Sequence, residues 1–304
     1  MEYTNPELPE GINTSKEHPL KDFFVLTIGL LAFVFISISI LIVIVDNFAD
    51  KIPFEMEKEL PISNILKSQN EEPLPPYLKT LTQKILNSFT LPDEMEITFH
   101  YVNDDTVNAF ATLGGHIFLY RGLIDKLKHE DELAMVIAHE IAHVKYRHPI
   151  LSISHGIVVG VVLTAVSGAS GNESVNNFMG QTTLASLMRF SRDYEYQADK
   201  DAINSLIKLY GNADGAKGLF NVFKKEFGNN IPFEFLATHP LTDNRISQTT
   251  KIINKLNLPP TKVKVSFPKE FKLWLKDQKE MTKPKILSLD RTAVTTQSRH
   301  SHPF

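Results

Sequence analysis

The sequence predicts an α+β protein, mainly helical, with a small β-sheet beside one long helix and a single transmembrane helix ahead of both. Three observations lead there. Phe23 to Val45 runs 23 residues without a charge, against the ~20 that cross a hydrocarbon core as a helix. Short segments of strand-like alternation cluster between residues 95 and 120. Asp131 to His148 then shows helical periodicity and carries His139-Glu140-Ile141-Ala142-His143.

That H-E-x-x-H pattern has a chemical reason. Residues four apart share a helix face, so both imidazoles reach one metal ion while Glu140 stands beside a water held there, which reads as a zinc hydrolase. Leu133, Val136, Ile137, Ile141 and Val144 supply an apolar stripe, and acidic residues at 130 to 132 suit the positive end of the helix dipole. Pro149 is expected to stop the helix. The plain alternative is a helix rich in His and Glu that matches by accident, and a third ligand decides between them.

Composition narrows the chemistry. The chain has 304 residues, 42% hydrophobic, with a net charge of −3, enough for a packed core. There is no basic footprint or Gly-rich phosphate loop, so nucleic acid is not an expected partner. Cysteine is absent, which excludes disulfides, thiolate ligands and a cysteine nucleophile, so a metal must be held by His and carboxylates.

Taken in order, residues 1–22 read as a polar tail and 23–45 as a single-pass N-terminal anchor, too long in its apolar core for a cleaved signal peptide. Lys16 and Lys21 before it balance Lys51 and Lys58 after it, so flanking charge leaves orientation open. The catalytic part is expected on the periplasmic (trans) side. Residues 46–75, ending in Glu71-Glu72-Pro73-Leu74-Pro75 just before Pro76, read as a linker that spaces the domain from the membrane. A domain over 76–256 opens with a helix from Tyr77 to Phe89. Met95, Ile97, Phe99 and Tyr101 follow as a strand, then Val107 to Thr112 and His116 to Tyr120 as neighbouring strands joined at Gly114-Gly115. Gly122 to Lys128 is a short helix.

Past Pro149, the apolar stretch 150–166 is expected to pack on the core or dip into the bilayer surface, with a second span as the alternative. Residues 167–180 read as a loop or lid. Gln181 to Leu209 is a second long helix, stopped by Gly211. In it Glu195 and Asp199 share a face, so one carboxylate can ligate a metal while the other accepts from a ligand histidine. The alternative is a solvated acidic face. Ala213 to Phe227 is amphipathic, 231–236 an apolar loop, and Asp243 to Leu256 helical. Thr261 to Phe267 reads as a strand and Glu270 to Lys279 as a helix in an extension over 257–281, followed by a disordered tail over 282–304.

Asn108-Ala109-Phe110, Gly114-Gly115-His116-Ile117, the H-E-x-x-H, and Glu195/Asp199 followed by Thr238-His239-Pro240 and Arg245 occur in that order. Together they resemble the membrane-associated gluzincin metallopeptidases that include HtpX, BepA, the CAAX prenyl proteases and the Oma-type peptidases, over roughly residues 76–256. The resemblance implies a zincin-type metallopeptidase domain with one Zn2+ per chain. It makes His139, His143 and Glu195 the ligands, Glu140 the general base, Asp199 the partner of a ligand histidine, and Arg245 a supporting residue of the same motif set. It also places an extended peptide on an edge strand formed by Asn108 and Gly114 to Phe118, with Gly114, Gly115, His116 and Ile117 contacting it. By resemblance to BepA-like relatives, whose corresponding His can occupy the open zinc position, His239 is either a latency plug or a donor to the transition state. The plain reading of His239 is a loop residue capping the next helix. HtpX and the CAAX proteases enclose a membrane chamber with several spans, whereas one clear span here points to a tethered domain. A metzincin would need Gly and His where Tyr146 and Pro149 stand.

The expected reaction is zinc-dependent hydrolysis of peptide bonds, the metal lowering the pKa of a water to about 7 and Glu140 taking its proton. The expected partners are a polypeptide substrate, held largely through its backbone, and the lipid bilayer. Quality control of unfolded or damaged membrane or envelope proteins is implied by the resemblance alone. A chaperone-like protein that holds unfolded segments and seldom cuts is the main alternative, and a zinc hydrolase of another substrate is the next. Nothing in the sequence sets the oligomeric state.

Overall fold

The computed structural model describes residues 18–48, 51–59, 71–167, 190–227, 234–258 and 265–281. Residues 1–17 and 282–304 of the expected tails, the lid region from Gly168 on, the expected start of the second long helix at 181–189 and residues 231–233 of the expected apolar loop lie outside them. Helix α1 (Pro19–Phe48) has no buried residue, and Phe24, Leu31 and Phe35 are exposed. It is the one described helix long and apolar enough to cross a membrane. A short α2 (Phe54–Glu59) follows, then β1 (Glu71–Glu72) and α3 (Pro76–Leu86), with a proline in its first turn.

Three more strands, β2 (Thr98–Val102), β3 (Ala109–Ala111) and β4 (His116–Tyr120), complete a sheet of order β1-β2-β4-β3. β2 and β4 run parallel, pairing Thr98 with His116 and Val102 with Tyr120. β3 lies antiparallel to β4, pairing Ala109 with Leu119. The turn between them needs its glycines: Gly114 and Gly115 have φ of 70° and 78°, and a Cβ on Gly115 would lie 2.2 Å from the Glu96 carbonyl. β4, which carries His116 and Ile117, is therefore interior. The expectation that Gly114 to Phe118 forms the edge is corrected: the outer strand on this side is β3, because β4 is already hydrogen-bonded on both sides.

After α4 (Arg121–Lys126) comes α5 (Glu130–Lys145), the axis of the domain. Every residue from Asp131 to Val144 is buried, so the expected single apolar stripe gives way to a helix enclosed all round. Its start is held by Glu132, which accepts from the Lys128 and His129 amides at 2.7 and 3.2 Å, and by Glu130, which accepts from the Tyr77 and Tyr210 hydroxyls at 2.7 and 2.9 Å. Pro149 does not end α5. The helix stops at Tyr146, Arg147 takes a left-handed φ of 57°, and Pro149 sits in the first turn of α6 (His148–Ser167), where its missing N–H costs nothing.

α7 (Arg192–Tyr210) is capped by Ser191, which accepts from the Tyr194 amide at 3.2 Å, and ends at left-handed Gly211. α8 (Asp214–Phe227) closes onto α5 so tightly that a Cβ on Gly215 would lie 2.2 Å from the Asp131 carbonyl. The end of the expected apolar loop is a short helix, α9 (Glu234–Thr238), with Phe235 buried. α10 (Asp243–Lys255) is capped by Thr242, whose hydroxyl accepts from the Arg245 amide, so His239 is not a cap.

Of the expected strand at 261–267, the described part forms only a bridge from Ser266 to His129. The last helix, α11 (Lys269–Met281), is no appendage: Phe271 and Leu275 join the core of Leu78, Ile85, Leu133 and Ile137. Phe54 of α2 joins it too, so the domain reaches beyond residues 76–256 at both ends. The described residues just after the anchor are likewise tied to the domain. Arg147 donates to Glu57 and to the Ile52 carbonyl, and Glu57 accepts from the Gly114 amide at 3.2 Å.

Candidate metal centre

α5, α7 and the turn after α9 bring His139, His143, Glu195 and His239 together, all buried, with one potential donor atom each within 4.8 Å of the others. His139 Nε2 and His143 Nε2 are 3.0 Å apart, as the one-turn spacing requires. His239 Nδ1 lies 3.2 Å from His139 Nε2 and 2.9 Å from Glu195 Oε1. Glu195 oxygens lie 3.5 Å from each of His139 Nε2 and His143 Nε2.

These residues fit a metal ion. In a tetrahedral zinc site with arms of ~2.0–2.1 Å, the donor atoms stand roughly 3.3–3.4 Å apart, against 2.9 to 3.5 Å here. Imidazole and carboxylate donors without sulfur suit a divalent first-row ion. Glu140, one residue past His139, is fully buried with neither oxygen hydrogen-bonded among the described residues; its Oε1 lies 3.4 Å from His239 Nε2. A buried carboxylate without a partner is costly, and such a cost is typically kept where the group serves chemistry.

The surroundings set protonation. Burial pushes the His143 imidazole well below its usual value, leaving it neutral and able to ligate. Burial alone would raise the Glu195 and Asp199 carboxyls, but the guanidinium of Arg245 and the neighbouring imidazoles together outweigh it and shift both below the ordinary carboxylate range. Arg245 on α10 donates to Asp199 Oδ2 through Nε at 2.7 Å and to Oδ1 through Nη2 at 2.8 Å, and also pairs with Glu195. Asp199 Oδ1 lies 3.0 Å from His139 Nδ1, the ring nitrogen that faces away from the donor cluster.

Some of the surroundings went unread in the sequence. His148 Nδ1 lies 2.9 Å from His143 Nδ1, and burial pushes its own pKa down to about 4. Phe190 stacks on His143 at 4.0 Å between ring centres, Phe235 on His239 at 4.5 Å and Tyr194 on His148 at 4.2 Å. The aromatic residues carry no spacing signal, and His148 looked like a helix end. Its position five residues after His143 was the one available hint. A cleft bounded by Phe190, Arg192, Pro240 and Gln248 opens beside Glu195 and Arg245. Of the residues expected to contact substrate, Asn108 precedes the outer strand β3, whereas Gly114 and Gly115 lie in the turn against α2 and His116 and Ile117 on interior β4.

A family model described as peptidase family M48 matches residues 74–253. The beta-barrel assembly-enhancing protease of Yersinia pestis is 28% identical over 202 residues, covering 61% of this chain and 40% of that protein. Mitochondrial metalloendopeptidase OMA1 of Saccharomyces cerevisiae is 28% identical over 180 residues, covering 55% of this chain and 50% of its own length. The beta-barrel assembly-enhancing protease of Escherichia coli K12 is 25% identical over 201 residues, with 62% and 40% covered. The chain thus spans half or less of these relatives.

Proposed function

The chain belongs to peptidase family M48, and from that premise we propose that it is a membrane-anchored zinc metalloendopeptidase. Its substrates are unfolded or damaged membrane or envelope proteins. The observation that carries this reading is the buried His139, His143, Glu195 and His239 group with Glu140 beside it.

In this reading His139, His143 and Glu195 hold one zinc ion per chain. When bound, zinc supplies a Lewis acid that polarises a peptide carbonyl and brings the pKa of a water to about 7. Glu140 takes the proton from the attacking water and passes it to the leaving amine, a role supported by its burial without a hydrogen-bond partner among the described residues. Asp199 keeps the proton of His139 on Nδ1 so that Nε2 stays free to ligate. Arg245 offsets the charge of Glu195 and Asp199. His239 is the fourth donor in the resting state and must move aside for substrate. An extended peptide pairs with β3, next to Asn108, through its backbone. α1 is the anchor, and the domain stands on the periplasmic (trans) side.

The test is to purify the full chain, measure bound metal, and incubate it with an unfolded envelope protein with and without chelator. One zinc per chain, cleavage that stops with chelator and resumes with zinc, and resistance to carbonate extraction are expected. Zinc-loaded protein that binds the unfolded chain without cutting it would favour the chaperone-like alternative.

A further inference from the structure

Helix α6 has two unlike halves. Its first turns belong to the domain: His148 lies against His143, and Ile150 and Ile153 cluster with Leu113. Beyond them, Ile157-Val158-Val159-Gly160-Val161-Val162-Leu163 continues to Ser167 without a charged residue. The junction is marked by His155, whose Nε2 lies 2.7 Å from Asp46 Oδ1 near the end of α1. Running back from Asp46 along α1, the partly covered positions Val45, Ile42, Ile38 and Val34 form one helical stripe. α6 and α1 pack against each other, and with its first half taken up by the domain and His155 held at Asp46, the second half of α6 is the part left to follow this stripe. Ile157 and Val161, one turn apart, remain 42% and 49% exposed.

We propose that residues 156–167 are inserted, without spanning, in the same bilayer that α1 crosses, and that this holds the metal centre just above the lipid, where it cuts membrane-proximal stretches of its substrates. The proposal rests on the reading of α1 as an anchor. Twelve helical residues extend ~18 Å, a little over half of a hydrocarbon core of ~30 Å. A helix satisfies its own backbone there, and an uncharged face of Ile and Val is at home in lipid. The polar His155–Asp46 contact then lies at the membrane surface, seven residues or roughly 10 Å along α6 from His148. The height is fixed, because Arg147, Glu57 and Ile52 tie the exit from α1 to the end of α5. A peptide bond far from the bilayer reaches this centre only if its chain is long enough to fold back.

The absence of cysteine makes a direct test simple. Ile157→Cys, Val161→Cys, Phe35→Cys as an α1 reference and Lys272→Cys as a water-facing reference are each placed in the full chain and reconstituted in phosphatidylcholine vesicles. A membrane-impermeant maleimide should react at 157 and 161 roughly tenfold or more slowly than at 272, as at 35, since the thiolate is the reactive form and hydrocarbon suppresses it. A fluorophore at 157 or 161 should also be quenched by nitroxides carried on lipid chains. Fast reaction at 157 and 161 with slow reaction at 35 overturns the proposal and leaves the anchor standing. Slow reaction without quenching means protein covers these positions and overturns it equally. Fast reaction at 35 removes the anchor reading, and this inference with it.

Discussion

Asp199 and Arg245 meet in a buried, bidentate pair behind the metal centre, Oδ2 2.7 Å from Nε and Oδ1 2.8 Å from Nη2. The same carboxylate faces His139 Nδ1 and the same guanidinium pairs with Glu195. One cation therefore supplies the largest favourable interaction to two carboxylates that burial disfavours, with the neighbouring histidines adding to it. Truncating it leaves charge without compensation, so Arg245→Ala should destabilise the metal-free protein by ~3–5 kcal/mol. Arg245→Lys should recover only part of this, because an ammonium cannot reproduce the fork. Denaturant unfolding in detergent measures both, and a lysine variant as stable as wild type would show that charge alone suffices.

Glu140 lies beside the donor cluster but contributes no atom to it. Glu140→Gln should therefore keep about one zinc per chain and lose cleavage by at least the ~10²–10⁴-fold that general base catalysis contributes. Loss of metal in this variant would mean that Glu140 is a ligand and the assignment of the base is wrong.

The far nitrogens of the two helix histidines have different partners, Asp199 for His139 and His148 for His143. Removing either partner frees a ligand ring to rotate, so Asp199→Ala and His148→Ala should each weaken zinc binding ~10–100-fold. Competition with a chromogenic chelator reads this directly. If only Asp199→Ala weakens binding, the His143–His148 contact is packing and nothing more.

How much of this was legible in the sequence follows from the range of each interaction. The H-E-x-x-H pair and Glu195/Asp199 are one-turn spacings, readable because a helix fixes which residues share a face. The Gly114-Gly115 turn announced itself because few residues tolerate φ of 70° and 78°. Strand order was not readable: β2 pairs with β4 across the intervening β3, and nothing local to His116 or Ile117 reveals that they are interior. Pro149 misled because proline both ends and begins helices, and the left-handed Arg147 that makes the break is stabilised by Glu57, 90 residues away. The inclusion of Phe271 and Leu275 in the core was hidden for the same reason, since their partners lie far back in the chain.

His239 is the residue whose role the geometry sharpens most. It does not cap α10, a task taken by Thr242. Its Nδ1 sits among the donor atoms while Nε2 faces Glu140 at 3.4 Å, and Phe235 stacks on its ring. Under the proposed function it would act as a fourth donor in the position that a substrate carbonyl or water needs, and the resting enzyme would be latent. On that reading the residues before it, through α9, would have to shift for cleavage to begin. His239→Ala should keep zinc, because three donors remain, and should speed cleavage of an unfolded substrate by the ratio of closed to open chains, on the order of tenfold if the closed form dominates. A variant that keeps zinc yet cuts more slowly would instead make His239 a hydrogen-bond donor to the transition state. The same measurement on Phe235→Ala separates the two roles further: loosening the stack weakens a plug and raises activity, but misplaces a donor and lowers it.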